Sequence, residues 1–502
     1  MADDATTDNT SKDEESEDEP KVEPPPHHED EVISTQHSVL INGDTVEYTA
    51  TAGRMVLAEE EGKKQASFFY VGYTKDGVED TSDRPIVFSF NGGPGSASVW
   101  LHLGALGPKR VLMSDDGWPL APPSQLVPNE HSILDVADLV FIDPISTGYS
   151  RAIPEKKAKD FHHFTKDIES VGQFIRMYLT RNERWNSPKF LAGESYGTTR
   201  AAGLAGHLYN RYGVAFNGLL LISAILSFQT AGFDRKTWTF NRGNDLPYPL
   251  FLPTYAATAH YHGALGEAEQ ATDLREFLDG VEAFAATTYQ LGLFQGDEIS
   301  PEDQSAILDE LERTTGLNRE YLDRYNMRIE ILRYCKELLR DRNRSVGRID
   351  SRYTGIDRFT DGDSMEHDPS LDAVSGAYSS ALNHYIRADL GYESDLPYEI
   401  LSDRVHPWNY EDFQNSYVDV SETLRDTMSR NRHMKVLFAN GYYDLATPYF
   451  ATEYTLNHMD LDPEVRNNVT MTYYEAGHMM YVHLPSLEKL GADMRTFITD
   501  AI

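Results

Sequence analysis

Short apolar runs alternate with stretches of helical periodicity in two parts of the chain. The runs that we interpret as strands, several of them continuously apolar as in strands buried on both faces of a sheet, lie at residues 85–90, 139–142, 187–192, 219–222, 435–439 and 469–473. Apolar residues recur at helical spacing within residues 160–180, 198–209 and 486–498. This alternation predicts a doubly wound, mainly parallel α/β sheet.

A different pattern precedes these runs. From Ser38 to about Tyr73 the apolar positions alternate in short runs, and Asn42-Gly43 separates residues 38–41 from residues 45–48. An Asn-Gly pair between two alternating runs is typical of a tight β-hairpin. The sequence therefore predicts that an antiparallel meander begins the fold.

The strand rhythm is lost in the middle of the chain. Residues 267–291 and 301–341 are helical in periodicity, whereas residues 347–369 resemble a long polar loop. We interpret this part as a largely helical lid inserted into the sheet domain. The predicted units are an acidic tail (1–31), the first part of an α/β core (32–227), the lid (228–430) and the second part of the core (431–502).

Charge and composition narrow the function classes. The 502 residues carry a net charge of −35, and the first 31 residues are so acidic that we expect a disordered tail. Such acidity disfavours nucleic acid and anionic membrane surfaces as partners. A run of about 18 apolar residues would be needed to span a membrane, and no such run is visible in the sequence. No secretory leader is visible either, so we expect a cytoplasmic protein. The single cysteine, Cys335, lies on an apolar helical stripe and is predicted to be core.

One apolar run ends at a serine between glycines, in Leu191-Ala192-Gly193-Glu194-Ser195-Tyr196-Gly197. A strand that turns sharply into a helix at such a serine forms a nucleophile elbow, and small flanking residues let the backbone hold the strained angle. An isolated match of this length also fits an ordinary turn, so the interpretation depends on partners elsewhere in the chain.

Those partners are present in the order that an α/β hydrolase requires. A serine hydroxyl needs an adjacent base, and the base needs an orienting carboxylate. Asp444 follows the run that ends at Ala439, and His478 follows the run that ends at Tyr473. Each therefore stands on a loop after a late strand, and the sequence predicts the triad Ser195, Asp444 and His478.

An oxyanion would need two backbone N–H donors. The first is predicted from Tyr196, the residue after the nucleophile. The second is predicted from Gly93, in the loop Asn91-Gly92-Gly93-Pro94-Gly95-Ser96 that follows the first buried strand. Glycines at that point let the backbone approach a scissile carbonyl closely.

Taken together, these motifs resemble the serine carboxypeptidase family, which contains carboxypeptidase Y and cathepsin A. The pieces that match lie in the family's order over most of the chain. They are Asn91-Gly92-Gly93-Pro94-Gly95-Ser96, Gly107-Pro108, Phe141-Ile142-Asp143, Gly148-Tyr149-Ser150, Gly193-Glu194-Ser195-Tyr196-Gly197, Asn440-Gly441 with Asp444, and Gly477-His478-Met479.

The resemblance implies an α/β-hydrolase fold and the release of carboxyl-terminal residues from peptides, with no cofactor or metal. It also implies that Asn91, Gly92 and Glu194 hold the free carboxylate of a peptide substrate. Glu194 can donate a hydrogen bond to a carboxylate only when it is protonated, and two adjacent carboxylates cannot both stay ionised. We therefore expect peptidase activity to favour acidic pH, limited at low pH by protonation of His478.

One position departs from the family pattern. Members commonly carry a second glutamate shortly before the Gly107-Pro108 pair, and the matching residue here is Ala105. The loss of that carboxyl leaves esterase or acyltransferase chemistry open. A prolyl-aminopeptidase-like hydrolase and a binding protein without catalysis remain further alternatives, and the sequence leaves the oligomeric state open, a homodimer included.

Overall fold

A ten-stranded sheet forms the centre of the molecule. The computed structural model describes residues 28–231, 233–234, 239–240 and 243–502. The sheet contains β1 (Glu31–Ile41), β2 (Asp44–Ala58), β3 (Lys64–Lys75), β4 (Ile86–Phe90), β5 (Asp138–Ile142), β6 (Arg151–Ala152), β7 (Lys189–Ser195), β8 (Gly218–Ala224), β9 (Lys435–Gly441) and β10 (Val469–Tyr474). Their spatial order is β1-β2-β3-β5-β4-β7-β8-β9-β10, and β6 pairs with β3.

The direction of the strands divides the sheet into two parts. β1, β2 and β3 form an antiparallel meander, and β3 is antiparallel to β5. From β5 onward the neighbouring strands on this path run parallel. The predicted α/β sheet is therefore confirmed, and the carboxyl ends of β4, β7, β9 and β10 meet at one edge, where ligands bind in such sheets.

Helices connect the parallel strands and fill the middle of the chain. The longer ones are α1 (Phe164–Arg181), α2 (Tyr196–Tyr212), α3 (Pro247–Tyr261), α4 (Leu274–Phe284), α5 (Pro301–Thr315), α6 (Pro369–Ala388), α7 (Ser421–Arg430), α8 (Tyr449–Asn457) and α9 (Leu484–Asp500). Short helical segments are Thr81–Asp83, Val99–Leu101, His102–Leu106, Glu155–Phe161, Glu267–Gln270, Ala285–Tyr289, Gln290–Gln295, Gly296–Glu298, Arg319–Arg324, Ile331–Glu337, Arg340–Arg342, Asp403–Val405, Glu411–Phe413, Pro463–Arg466 and Met480–Val482. Small antiparallel ribbons pair Lys109–Val111 with Leu126–Pro128, Phe233–Asp234 with Thr239–Phe240, and Ser345–Val346 with Thr354–Gly355.

Both faces of the sheet are covered. On one face, apolar side chains of α1, α2 and α7 pack against the strands. On the other face, α6 and α9 do so. A third cluster is built mainly from α3, α4, α5 and the segment Ile331–Glu337, and it buries Cys335 as predicted. Burial raises the pKa of that thiol, which keeps it protonated.

Several local predictions can be compared with the structure. Asn42 (φ 51°) and Gly43 (φ 89°) form the predicted hairpin turn between β1 and β2. The helical pattern of residues 267–291 is interrupted, because the Asp273 side chain accepts hydrogen bonds from the amides of Arg275 and Glu276 and so begins a new helix. The pattern of residues 301–341 is likewise divided into shorter helices, and Gly316 ends α5 in the left-handed conformation.

The predicted unit boundaries stay a prediction. Residues 1–27 of the expected acidic tail lie outside the described residues, and β1 already begins at Glu31, which pairs with Arg54. Within the predicted lid, α6 packs directly against the sheet instead of against the other lid helices. Among the described residues, no helix combines the length and apolar character needed to cross a bilayer.

Candidate active site

The strand, turn and helix predicted around Ser195 are present. β7 ends at Ser195, which has φ 60° and ψ −130°, and α2 begins at the next residue, Tyr196. A positive φ is strained for a residue with a side chain and places its hydroxyl at the tip of the turn. A Cβ on Gly193 would lie 2.2 Å from the carbonyl oxygen of Gly197, so the turn closes only over glycine at that position.

Asp444 and His478 form a buried pair beside the elbow. His478 Nδ1 lies 2.7 Å from Asp444 Oδ2, and the aspartate side chain is fully buried. The same carboxylate accepts hydrogen bonds from the amides of Ala446 and Thr447 and from the Thr447 hydroxyl at 2.6 Å. Burial opposes a charge on His478, but the charge and hydrogen bond of Asp444 outweigh it and raise the pKa of the imidazole.

The loop that carries His478 is anchored next to the serine. The Ser223 hydroxyl donates to the carbonyl oxygen of His478 at 2.7 Å, and the following residue, Ala224, pairs with Ser195 across β7 and β8. Within the part of the chain that the structure describes, no hydrogen bond joins the Ser195 hydroxyl to His478. Such catalytic hydrogen bonds are often long in free enzymes and shorten when substrate binds.

The glycine-rich loop after β4 lies directly against the start of α2. A Cβ on Gly92 would lie 2.4 Å from the amide nitrogen of Tyr196 and 2.6 Å from that of Gly197, and Gly93 has φ 105°. Tyr196 is the first helical residue, so its N–H has no acceptor inside the helix. The loop that carries Gly93 therefore lies against the amino end of α2, where Tyr196 stands, and the assignment of the two oxyanion donors stays a prediction.

Glu194, directly before the nucleophile, is buried at 3% exposure. Its carboxyl accepts a hydrogen bond from the Tyr481 hydroxyl at 2.6 Å. Burial raises the pKa of Glu194 to about 7, although His478 and the hydroxyl of Tyr481 act in the opposite direction. A carboxyl group that is held partly protonated beside a nucleophile can donate a hydrogen bond to an anion.

Asn91 is fixed in place, yet one of its polar atoms is free. Its Oδ1 accepts from the amide of Leu101 at 3.1 Å, which sets the orientation of the side-chain amide. Its carbonyl oxygen accepts from Arg200, which is itself buried in an ion pair with Asp167 at 2.8 Å. Asn91 Nδ2 is buried without a hydrogen-bond partner in the described part of the chain, although it lies close enough to Glu194 and Tyr481 to lower the pKa of both. A buried N–H group left without a partner is costly, and a bound anion would satisfy it.

Three residues at the site were not found by sequence reasoning. Thr447 stands three residues after Asp444, a spacing that is common for a local hydrogen bond between a hydroxyl and a carboxylate, and this spacing could have indicated the contact. Tyr481 stands three residues after His478, in the helical segment Met480–Val482. Asp350 had no local signal, because it lies in the polar loop 347–369, far along the chain from the Gly477 amide that it binds at 3.0 Å.

The arrangement suits acyl transfer to a serine. It combines a nucleophile at an elbow, a base oriented by a buried carboxylate, two backbone donors and a polar subsite next to the nucleophile. Among the described residues, no group of three or more histidine, cysteine, aspartate or glutamate side chains could hold a metal ion.

Comparisons with known proteins agree with this chemistry. The family model described as serine carboxypeptidase matches residues 44–484. Serine carboxypeptidase-like 45 from Arabidopsis thaliana is 24% identical over 314 residues, which span 57% of this chain and 66% of that protein. The pheromone-processing carboxypeptidase KEX1 from Saccharomyces cerevisiae is 32% identical over 156 residues, which span 29% of this chain and 20% of that protein. The chain therefore covers less than two thirds of the length of either relative.

A solved structure shows the same fold. The prohormone-processing carboxypeptidase Kex1(delta)p from Saccharomyces cerevisiae superposes with a TM-score of 0.56 and 17% identity, over 91% of this chain and 92% of that one. The predicted α/β-hydrolase fold is thereby confirmed.

Proposed function

The chain belongs to the serine carboxypeptidase family, and on this basis we propose that it releases the last residue from peptides with a free carboxyl terminus. One observation carries the proposal. Next to the nucleophile, the structure holds a buried carboxyl with a pKa raised to about 7, together with the unpartnered amide of Asn91. These groups are suited to a substrate carboxylate one residue beyond the scissile bond.

The proposed reaction begins with attack of Ser195 Oγ on the carbonyl carbon of the last peptide bond. His478 accepts the serine proton and then gives it to the departing amino group, so the C–N bond breaks and the last residue leaves as a free amino acid. Asp444 holds the imidazole in the required tautomer through Nδ1. Water, deprotonated by His478, then hydrolyses the acyl-enzyme and regenerates Ser195.

We assign the stabilisation of the negative charge that develops on the carbonyl oxygen to backbone N–H groups. The amides of Gly93 and Tyr196 would donate to this oxygen, and Tyr196 stands at the amino end of α2, where the helix dipole favours negative charge. No side chain has to move to supply these donors, because Gly92 is already in close approach to the start of the helix.

Recognition of the free carboxylate explains why cleavage should be confined to the last bond. Asn91 Nδ2 and the protonated carboxyl of Glu194 would each donate to the terminal carboxylate. A second negative charge at this place would raise the pKa of Glu194 further, so substrate binding and protonation of Glu194 support each other. The backbone at Gly92 closes the subsite toward the oxyanion donors.

The test is the release of the last amino acid from an amino-blocked dipeptide with a free carboxyl terminus, followed by chromatography. We expect release by the wild type and none by the Ser195→Ala variant. A protein whose Ser195 is phosphonylated by a fluorophosphonate, with loss of fluoride, and which yet releases no amino acid has the nucleophile without the proposed specificity.

A second candidate, esterase or acyltransferase activity, is favoured by one observation. The position at which the family commonly carries a second glutamate is the fully buried Ala105, which offers no hydrogen-bonding side chain. If the terminal carboxylate is held too weakly, an ester would be the better substrate because an alcohol is a better leaving group than an amine and needs less help from the subsite. Comparison of an amino-blocked dipeptide with the matched ester of its acyl residue separates the two activities.

A further inference from the structure

A tyrosine hydroxyl is hydrogen-bonded to Glu194, and its ring lies close to the turn that carries Ala105. Tyr481 Oη lies 2.6 Å from Glu194 Oε2, and the Tyr481 side chain is 2% exposed. We propose that Tyr481 replaces the missing glutamate as the partner that positions Glu194 for the substrate carboxylate. This inference rests on the proposed function and extends it to a residue that the family motifs do not include.

Packing explains why tyrosine and alanine occur together here. The ring of Tyr481 lies against the turn that contains Ala105, because a Cβ on the preceding Gly104 would lie 2.4 Å from Tyr481 Cε2 and 2.5 Å from Cδ2. Ala105 is fully buried in the same turn. A glutamate at this turn would compete with the ring for a closely packed interior, since interiors have no spare volume for the extra atoms.

The chemistry of a phenol differs from that of a carboxyl in one respect that matters here. Burial and the neighbouring Glu194 raise the pKa of Tyr481 well above its usual value, so the hydroxyl stays a donor throughout the working pH range. Two adjacent carboxyls would share a proton and titrate as a coupled pair. With Tyr481, only one member of the subsite loses its proton as the pH rises.

The hydrogen bonds of the subsite then all point from donor to acceptor toward the substrate carboxylate. Tyr481 donates to Oε2 of Glu194, which leaves the other oxygen of a protonated carboxyl to donate to the substrate. Asn91 Nδ2 donates independently of pH. Tyr481 therefore acts through Glu194 and is a positioning residue, whereas Glu194 and Asn91 would contact the substrate itself.

The pH dependence of Glu194 follows from the groups that face it. These groups are Tyr481, the amide of Asn91, the His478 and Asp444 pair, and the Tyr378 hydroxyl of α6. The hydrogen bond from Tyr481 lowers the pKa of Glu194, so its removal should raise that pKa. The pH above which free-acid substrates bind poorly should then move upward.

The test uses Tyr481→Phe, which removes the hydroxyl and keeps the ring in place. We expect the ratio of kcat/KM for a free-acid peptide to kcat/KM for the matched ester to fall by about tenfold at acidic pH, mainly through KM, as expected for one hydrogen bond to a charged group. The alkaline limb of the KM profile should move to higher pH. Both changes are specific to positioning, because a general loss of folding would lower both activities together.

Tyr334→Phe is the matched control. Tyr334 is also a fully buried tyrosine, and its hydroxyl donates at 2.6 Å to the carbonyl oxygen of Tyr255, in the cluster built mainly from α3, α4 and α5. Its substrate ratio should stay within about twofold of the wild type. If Tyr481→Phe shows the same ratio and the same alkaline limb as Tyr334→Phe, Tyr481 contributes packing alone and the proposal is wrong.

A double variant that exchanges the tyrosine for a carboxyl at position 105 tests the inference a second time, through its pH profile. In Tyr481→Ala/Ala105→Glu, space for a carboxyl is made where the family commonly carries one. Compared with Tyr481→Ala, the swap should recover free-acid binding at acidic pH and lose it more steeply as the pH rises, because two carboxyls then share a proton. Recovery with an unchanged pH profile would contradict the proposed role of the phenol.

Failure of the proposed function can be told apart from failure of this inference. Binding of an amino-blocked dipeptide to Ser195→Ala by calorimetry reports the carboxylate subsite without any catalysis. Loss of that binding in Ser195→Ala/Tyr481→Phe supports the inference even if the wild type hydrolyses no peptide. Equal binding with and without the hydroxyl overturns the inference even if the wild type is an active carboxypeptidase.

Discussion

Asp350 accepts a hydrogen bond from the amide of Gly477 at 3.0 Å, which ties a loop of the predicted lid to the residue before His478. The same loop contacts the segments that follow β9 and β10. Ile349 accepts from the amide of His478 at 2.6 Å, and Arg348 accepts from the amide of Leu445 at 3.0 Å. Residues 348–350 therefore connect the loop that carries Asp444 with the loop that carries His478.

Asp350→Asn should lower kcat by about tenfold or more, because the buried charge of Arg352 loses its partner and the Gly477 contact is weakened. Arg352 donates to both oxygens of Asp350, at 3.0 Å and 2.6 Å. Asp357→Asn breaks another buried ion pair of the lid, with Lys336, and is the control. Both variants should lose stability in thermal unfolding, but only Asp350→Asn should lose kcat. Equal kcat values would show that the loop has no effect on His478.

Thr447→Val should reduce kcat about tenfold with little change in KM, because the Thr447 hydroxyl donates to the Asp444 oxygen that orients His478. Steady-state kinetics on a free-acid peptide measures the effect. Thr452→Val removes another buried hydroxyl nearby, whose acceptor is the carbonyl of Ala224 at 3.4 Å, and should leave kcat within about twofold.

Gly92→Ala should abolish acyl transfer almost completely, since its Cβ would lie 2.4 Å from the Tyr196 amide that is assigned to the oxyanion. Loss of one such donor costs about 100- to 1000-fold in kcat. Gly280→Ala in α4 is the control, because a Cβ there meets no atom within 4 Å, and it should leave activity intact. An active Gly92→Ala variant would show that the oxyanion lies elsewhere.

Arg200→Met should lower the free energy of unfolding by about 3–5 kcal/mol, because Asp167 would be left as an unpaired buried charge. It should also raise KM for free-acid peptides, since Arg200 Nη1 donates to the carbonyl of Asn91 at 2.6 Å. The double variant Arg200→Met/Asp167→Leu should recover stability without recovering KM. Recovery of both would mean that Asn91 needs no support from Arg200.

Activity on free-acid peptides should form a bell in pH. It rises as His478 loses its proton, and the pKa of that imidazole is raised by Asp444 and Glu194 against the effect of burial. It falls as Glu194 loses its proton, near a pKa of about 7 in the free enzyme and higher with substrate bound. His478 sets the rising limb because a base acts when it is neutral, and Glu194 sets the falling limb because its carboxyl acts when it is protonated.

Glu194→Gln should remove the falling limb, since an amide donates at every pH, and should move the rising limb to lower pH because one negative charge near His478 is lost. The control is Asp143→Asn, which changes another buried carboxyl whose pKa burial raises to about 7. Asp143 lies beside Ser98 and Tyr398, and its replacement should leave both limbs in place. A falling limb that persists in Glu194→Gln would assign it to a different group.

Much of the core could be predicted because its signals are local. A continuous apolar run predicts a buried strand, and a serine between glycines at its end predicts a sharp turn into a helix. For this reason β7, α2 and the elbow at Ser195 were predictable to within a few residues. The loops of Asp444 and His478 were predictable because parallel strands end at one edge of the sheet.

The remaining contacts depend on tertiary packing, which leaves no local pattern. The helix α6 was part of a stretch interpreted as lid, because its apolar periodicity does not reveal that its partner is the sheet. Asp350 and Tyr481 act on Gly477 and Glu194 across long stretches of sequence. Nothing in a polar loop, or in a tyrosine after a catalytic histidine, reveals such a partner before the chain is folded.

The most direct test of the carboxypeptidase proposal uses one amino-blocked peptide, made with a free and with an amidated carboxyl terminus. Both forms are digested from about pH 4 to about pH 8 beside Ser195→Ala, and the products are read by mass spectrometry. The proposal predicts that the wild type removes single residues only from the free acid, with activity that rises as His478 loses its proton and falls as Glu194 loses its own. Equal trimming of both forms, or trimming of neither while a simple ester is cleaved, would contradict a carboxylate subsite built on Asn91 and Glu194.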